Sequence, residues 1–156
     1  MLHYGNLRVP CALGRAGIGA LKRESDGATP RGRFAVLRVL HKAGSGPRPV
    51  TALPLRPIRR TDGWCDAPRD RNYNRPVRLP YAASAESLWR DDGLYDLVVV
   101  LDFNITPRIR QRGSAIFMHV ARPGFLPTEG CIALKRTDLV RVLACVRRGT
   151  KLVTAT

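Results

Sequence analysis

Runs of apolar residues along the chain are short and mostly separated by glycine, proline and arginine. The clearest is Leu94 to Asp102, where Leu97–Leu101 is apolar on both faces, the pattern of a central strand covered on each side. Arg33 to His41 (RFAVLRVLH) reads as a second strand, rich in β-branched residues. Ser114 to Val120 reads as a third and ends at His119. Residues 6–13 and the terminal LVTAT complete the strand-like runs, and 15–24 reads as a loop. Helical spacing occurs once with clarity: Leu139, Val142, Leu143 and Val146 fall at i, i+3, i+4 and i+7. Thr137 is its expected N-cap and Gly149 its expected stop. Residues 83–90 (ASAESLWR) suggest a second short helix capped by Ser84.

The expected fold is therefore mainly β, a sandwich or open barrel of five to seven short strands. One or two short helices sit at its edge. Residues 43–80 hold seven of the twelve prolines and read as one long loop. Trp64, Tyr73 and Tyr81 give that loop apolar anchors, so it is expected to be ordered on the body. Trp64, Cys65, Asp66, Asn72, Tyr73 and Asn74 are alternatively a lid over a site. No linker or repeat divides the chain, and a single domain over 1–156 is expected.

Composition narrows the function. With 44% hydrophobic residues the chain can bury a core, and no window is apolar enough to span a membrane. The N-terminus does not read as a secretory signal, because Asn6, Arg8, Pro10 and Arg15 interrupt each apolar run. A cytoplasmic protein is expected, or a periplasmic one if the true N-terminus lies elsewhere. The net charge is +15, from 27 Lys+Arg against 12 Asp+Glu. The arginines are spread out and no aromatic-interleaved basic strip is present, so nucleic acid is not the expected partner. A basic surface suits a substrate rich in carboxylates. The four cysteines form no CxxC pair and the three histidines lie far apart, so no metal or other cofactor is expected.

The stretch that carries chemistry is Phe117–Leu134, FMHVARPGFLPTEGCIAL. His119 closes an apolar run, a Pro/Gly loop follows, and Cys131 comes directly after Gly130. A cysteine becomes a nucleophile when a histidine or aligned backbone dipoles stabilise its thiolate. On that reading His119 is the base, and Gly130 lets a substrate carbonyl approach. The amides of Gly130 and Cys131 form an oxyanion hole. A low-pKa Cys131 is expected, alkylated by iodoacetamide faster than Cys11, Cys65 and Cys145. The residues also allow a plainer reading, a small buried cysteine and a hydrogen-bonded histidine.

This stretch resembles the active-site signature of the L,D-transpeptidase catalytic domain family (the YkuD-like domain). That signature is a histidine, a loop, then Ser/Thr-His-Gly-Cys, an aliphatic residue and usually Arg. Here it reads His119, then Thr128-Glu129-Gly130-Cys131-Ile132-Ala133. Upstream, Asp26-Gly27-Ala28-Thr29-Pro30-Arg31-Gly32-Arg33-Phe34 is similar to the family's T-P-x-G-x-F element. Glu129 stands where the family usually has His, Ala133 where Arg is usual, and the loop from His119 to Thr128 is short.

The resemblance implies an L,D-transpeptidase-like β-sandwich acting on peptidoglycan stem peptides or their recycled fragments. Cys131 attacks the diaminopimelate carbonyl at its L-centre and releases D-alanine, with His119 as base and then acid. An amine acceptor gives a cross-link. Water gives an L,D-carboxypeptidase, which the altered rim and the absence of a signal favour. The substrate-facing set is Thr128 and Glu129, Arg122 and Arg136 for stem carboxylates (with Lys135 beside them), and Tyr73 from the long loop. Glu129 is also placed to orient His119 or a substrate amine. Two alternatives remain at this point, a non-catalytic module that binds peptidoglycan or another polyanion, and a nucleic-acid binder. Oligomeric state is open.

Overall fold

The computed structural model describes residues 1–155. Short strands follow one another along the chain: β1 (Leu2–Tyr4), β2 (Leu7–Val9), β3 (Ile18–Gly19), β4 (Thr29–Pro30), β5 (Gly32–His41), β6 (Leu55–Pro57) and β7 (Asp62–Cys65). Then come β8 (Arg75–Arg78), β9 (Ala85–Ser87), β10 (Leu97–Leu101), β11 (Phe117–Val120) and β12 (Ile132–Leu134). The helix α1 (Arg136–Cys145) and β13 (Lys151–Thr154) close the chain. The architecture is mainly β, as the apolar runs imply. Among the described residues its sheets do not close into a barrel.

The main sheet runs β12-β11-β10-β5-β13, and β6 shares the outer edge of the long strand β5. β10 sits in its middle, and Leu97 to Leu101 are all at most 1% exposed. Period-two alternation divides them. Leu97, Val99 and Leu101 face a core that α1 covers with Leu139, Val142, Leu143 and Val146. Val98 and Val100 face a second core with Trp64, Leu88, Tyr95 and Phe117. The register slip between Val100↔Arg38 and Leu101↔Val36 is a bulge at Leu37. It lets Phe34, Val36 and Val39 all serve the helix side although their spacing changes parity.

The second core is covered by a small sheet, β8-β7-β9, drawn from the stretch expected to be one loop and from the stretch expected to be a helix. Residues 83–90 are not helical. Ala85–Ser87 pairs antiparallel with β7, with Trp64 opposite Glu86 and Cys65 opposite Ala85. A three-residue strand leaves no periodicity in the sequence, and pairing with β7 outweighs the modest helix propensity of ASAES. Ser84 therefore caps nothing; its carbonyl accepts the Asp66 N–H at 3.3 Å. The loop expected at 15–24 likewise contains β3, paired parallel with β4.

The helix begins one residue before its expected cap, and Lys135 occupies the N-cap position with no side-chain cap. It ends at Cys145, where Val146 turns extended so as to keep its side chain in the core. Gly149, at φ +85°, serves the turn into β13 instead. All four cysteines are free thiols.

Candidate active site

Cys131 and His119 come together through one strand pair. β11 and β12 run parallel, with Met118 opposite Ile132 and His119 opposite Ala133. Continuing that register puts Phe117 opposite Cys131, and the Phe117 N–H donates to Cys131 Sγ at 3.4 Å. Phe117 and His119 share a face by period two, as do Cys131 and Ala133. The thiol and the imidazole are thus diagonal neighbours on the face that packs toward Trp64 and Tyr95. Both line one cavity of about 580 Å³.

The imidazole is fixed from two sides. Its Nδ1 lies 2.8 Å from the Val120 carbonyl oxygen. A carbonyl only accepts, so Nδ1 carries the proton and Nε2 keeps a free lone pair. The Tyr95 ring packs edge-on at 5.3 Å between centroids. His119 is buried, at 6% exposed, and burial is the main reason its pKa falls below the ordinary histidine value. Its hydrogen bond to Val120 works the other way.

The thiol does not match the expected low-pKa nucleophile. Burial pushes Cys131 up to about 12, against the opposing hydrogen bond from Phe117. Its S–H donates to the Ala115 carbonyl at 3.2 Å. At rest the pair is therefore neutral thiol and neutral imidazole rather than thiolate and imidazolium. A desolvated site penalises both charges at once, a condition invisible in the spacing of two residues.

The turn before Cys131 is built by backbone constraints. Gly130 has φ +132°, and a Cβ there would lie 2.7 Å from the Ala28 carbonyl oxygen. Its glycine is therefore required by a neighbouring segment, not by an approaching substrate. Nor is its N–H free for an oxyanion, since it donates to Thr128 Oγ1 at 3.1 Å. Thr128 Oγ1 in turn donates to the Cys131 carbonyl at 2.6 Å. Residues 12–15 tie the turn down on both sides. Ala12 exchanges backbone hydrogen bonds with Ala133, while Leu13 and Arg15 bond to Thr128.

The upstream element supports that same segment. The Gly14 N–H donates to buried Thr29 Oγ1 at 2.8 Å. The Asp26 carboxylate accepts from Lys22 Nζ at 2.5 Å, the Arg23 N–H at 2.7 Å and the Ala28 N–H at 2.9 Å. Burial works against its charge, yet these bonds hold Asp26 below the usual carboxylate range. Phe34 anchors the element in the helix-side core, edge-on to Phe103 at 5.5 Å.

Thr128, Glu129 and Arg122 line the cavity with Cys131 and His119. Glu129 does not reach the imidazole. Both its oxygens take Arg15 Nε, at 3.0 and 3.1 Å, on an exposed rim. Arg15 was not signalled, because its partner lies 114 residues away. Arg136 and Tyr73 lie off the cavity lining. Arg136 packs against Gly46 at the start of α1. Tyr73 is 1% exposed, and its hydroxyl donates to Glu24. Lys135 is exposed and also off the cavity. Of the expected lid residues only Asp66 faces the cavity; Trp64, Cys65, Tyr73 and Asn74 are buried as anchors.

The sequence reading missed several cavity residues. Glu86 and Tyr95 are joined by a 2.7 Å hydrogen bond from the tyrosine hydroxyl. Arg90, Lys22 and Ser114 also reach the lining. Among the described residues, no group of three or more His, Cys, Asp or Glu is arranged to hold a metal ion. Among the described residues, no helix is long and apolar enough to cross a membrane.

Comparison with known proteins gives one assignment. The family model described as YkuD, the L,D-transpeptidase catalytic domain, matches residues 4–154. No curated protein and no solved structure gives a significant match.

Proposed function

Because the chain belongs to the L,D-transpeptidase catalytic domain family, whose members carry out acyl transfer on peptidoglycan peptides, we propose that Cys131 is its nucleophile and His119 its base. One observation carries this reading. The two side chains share a face of the β11–β12 pair and line one cavity, and the Val120 carbonyl keeps the Nε2 lone pair of His119 free.

The neutral resting pair sets the order of events. His119 Nε2 takes the thiol proton as Sγ attacks the carbonyl of the L-centre in a tetrapeptide stem. The C–N bond to D-alanine then breaks, and the imidazolium returns its proton to the leaving amine. A thioester remains on Cys131. With Gly130 N–H engaged by Thr128, the oxyanion draws on the Cys131 N–H and on donors outside this turn. Water is the acceptor in our reading. His119 deprotonates it, the C–S bond breaks, and the thiol is restored with a tripeptide released. The Arg15–Glu129 pair favours water because it stands on the rim and narrows the approach of a second stem peptide.

Replacing Cys131 by Ala is expected to abolish D-alanine release from tetrapeptide stems, by at least about 10³-fold. Unchanged release would overturn the assignment. Mass spectrometry of wild-type products tests the acceptor: tripeptide alone supports hydrolysis, whereas cross-linked dimers make the protein a transpeptidase.

A further inference from the structure

In a chain of net charge +15 four carboxylates reach the cavity lining; Arg15 takes Glu129 and the Tyr73 hydroxyl donates to Glu24, which leaves Asp66 and Glu86 as a pair. They arise from one strand pair. Glu86 on β9 lies opposite Trp64 on β7, and Asp66 lies two residues beyond Trp64. Period two puts Trp64, Glu86 and Asp66 on one face. The Trp64 ring meets Phe117 edge-on at 5.1 Å, so that face looks onto the strand carrying His119.

Four cations share the lining, of which Arg15 is taken by Glu129 and Lys22 by Asp26, while Arg122 has no carboxylate partner among the described residues. Arg90 is held by Asp92, with Nε 3.0 and 3.1 Å from its two oxygens, and reaches Glu86 only at 3.7 Å. Glu86 Oε1 accepts from Tyr95 at 2.7 Å. Asp66 Oδ1 is buried without any hydrogen-bond partner. A second polar group in the same cavity is also left open: Ser114, only 8% exposed, has an unpartnered hydroxyl. Buried polar atoms without partners are rare and costly, so such a group facing a cavity points to a ligand that satisfies it. Burial lifts the Glu86 carboxyl above its usual range, and the Asp66 charge adds to that. A cation entering the cavity relieves both effects.

We propose that Asp66 and Glu86 form a subsite for a primary ammonium group of the substrate, next to Cys131. Resting on the stem-peptide reading above, it makes a free amine on the third residue of the stem a requirement for good substrates. The cation is an ammonium because two carboxylates and a tyrosine hydroxyl match three N–H donors. The described residues hold no third carboxylate, histidine or cysteine grouped with them for a metal. Neutralising Glu86 also removes one of the influences that, after burial, hold the Cys131 thiol up.

The test compares two tetrapeptide stems, one with a free third-residue amine and one N-acetylated there. Each is titrated calorimetrically into the Cys131→Ala protein. Acetylation is expected to weaken binding by about tenfold or more, the worth of a charged hydrogen bond. Adding Glu86→Gln or Asp66→Asn, both nearly isosteric, should bring the two affinities within about twofold. Equal affinities in the Cys131→Ala protein overturn the subsite, as does discrimination that survives both added substitutions. Failure of the free-amine peptide to bind overturns it as well. The stem-peptide reading fails separately, if wild-type protein releases no D-alanine from either peptide.

Discussion

At the scale of single residues, the site works through what burial does to two titratable groups. His119 is held neutral by desolvation, and Cys131 is held as a thiol by the same cause. A buried imidazole with a lowered pKa stays a competent base to lower pH than a free one. Activity therefore falls as pH drops through that lowered value. The acid limb of kcat/KM is expected below about 6.5, the ordinary histidine value. An acid limb above it would mean that another group is being titrated. The thiol has its own consequence. Thiolate is the species that alkylates, so Cys131 at pH 6–7 should react with iodoacetamide more slowly than exposed Cys145. Peptide mapping of the labelled protein reads the order directly, and preferential labelling of Cys131 would contradict a neutral resting pair.

At the scale of elements, the catalytic turn is shaped by segments far from it in sequence. Residues 12–15 hold Thr128 and Ala133, and the 26–34 element holds residues 12–17 while its Ala28 carbonyl closes on Gly130. Asp26 is the keystone of that arrangement, since it pairs with Lys22, which is only 4% exposed. Asp26→Ala strands a buried ammonium and is expected to cost about 2–4 kcal/mol of stability. Denaturant titration measures this. The activity lost should exceed what unfolding explains, because the turn before Cys131 loses its backing. The motif Thr-Pro-x-Gly-x-Phe is thus legible as a family mark in the sequence, but its work is mechanical. Thr29 takes the Gly14 N–H and Phe34 fills the core.

At the scale of the whole molecule, two cores flank the main sheet and the cavity opens on the side of the small sheet. The Trp64–Phe117 contact joins that small sheet to the strand that carries His119. Trp64 is 1% exposed, and its Nε1–H donates to Asn74 Oδ1 at 2.8 Å. Trp64→Ala is expected to destabilise by about 3–5 kcal/mol. Loss of the Glu86–Asp66 wall should follow it. Urea melts followed by tryptophan fluorescence, with Trp89 as the remaining reporter, measure the cost. A change under 1 kcal/mol would mean that the two sheets stand independently.

The sequence alone determined the strands with long apolar runs, the helix with a clear 3.6-residue period, and the family, through His119, Gly130 and Cys131 with the upstream Thr29–Phe34 element. Those features are local, so a linear reading reaches them. It did not determine β6 to β9, because strands of three or four residues carry no periodicity and exist only through their partners. It put Tyr73 and Arg136 at the site, although burial turns one into the core and the helix start carries the other away. Arg15, Glu86 and Tyr95 came to the cavity only through tertiary pairing. The protonation state of the Cys131–His119 pair was decided there too, since desolvation depends on everything packed around a group and on nothing in its sequence neighbours.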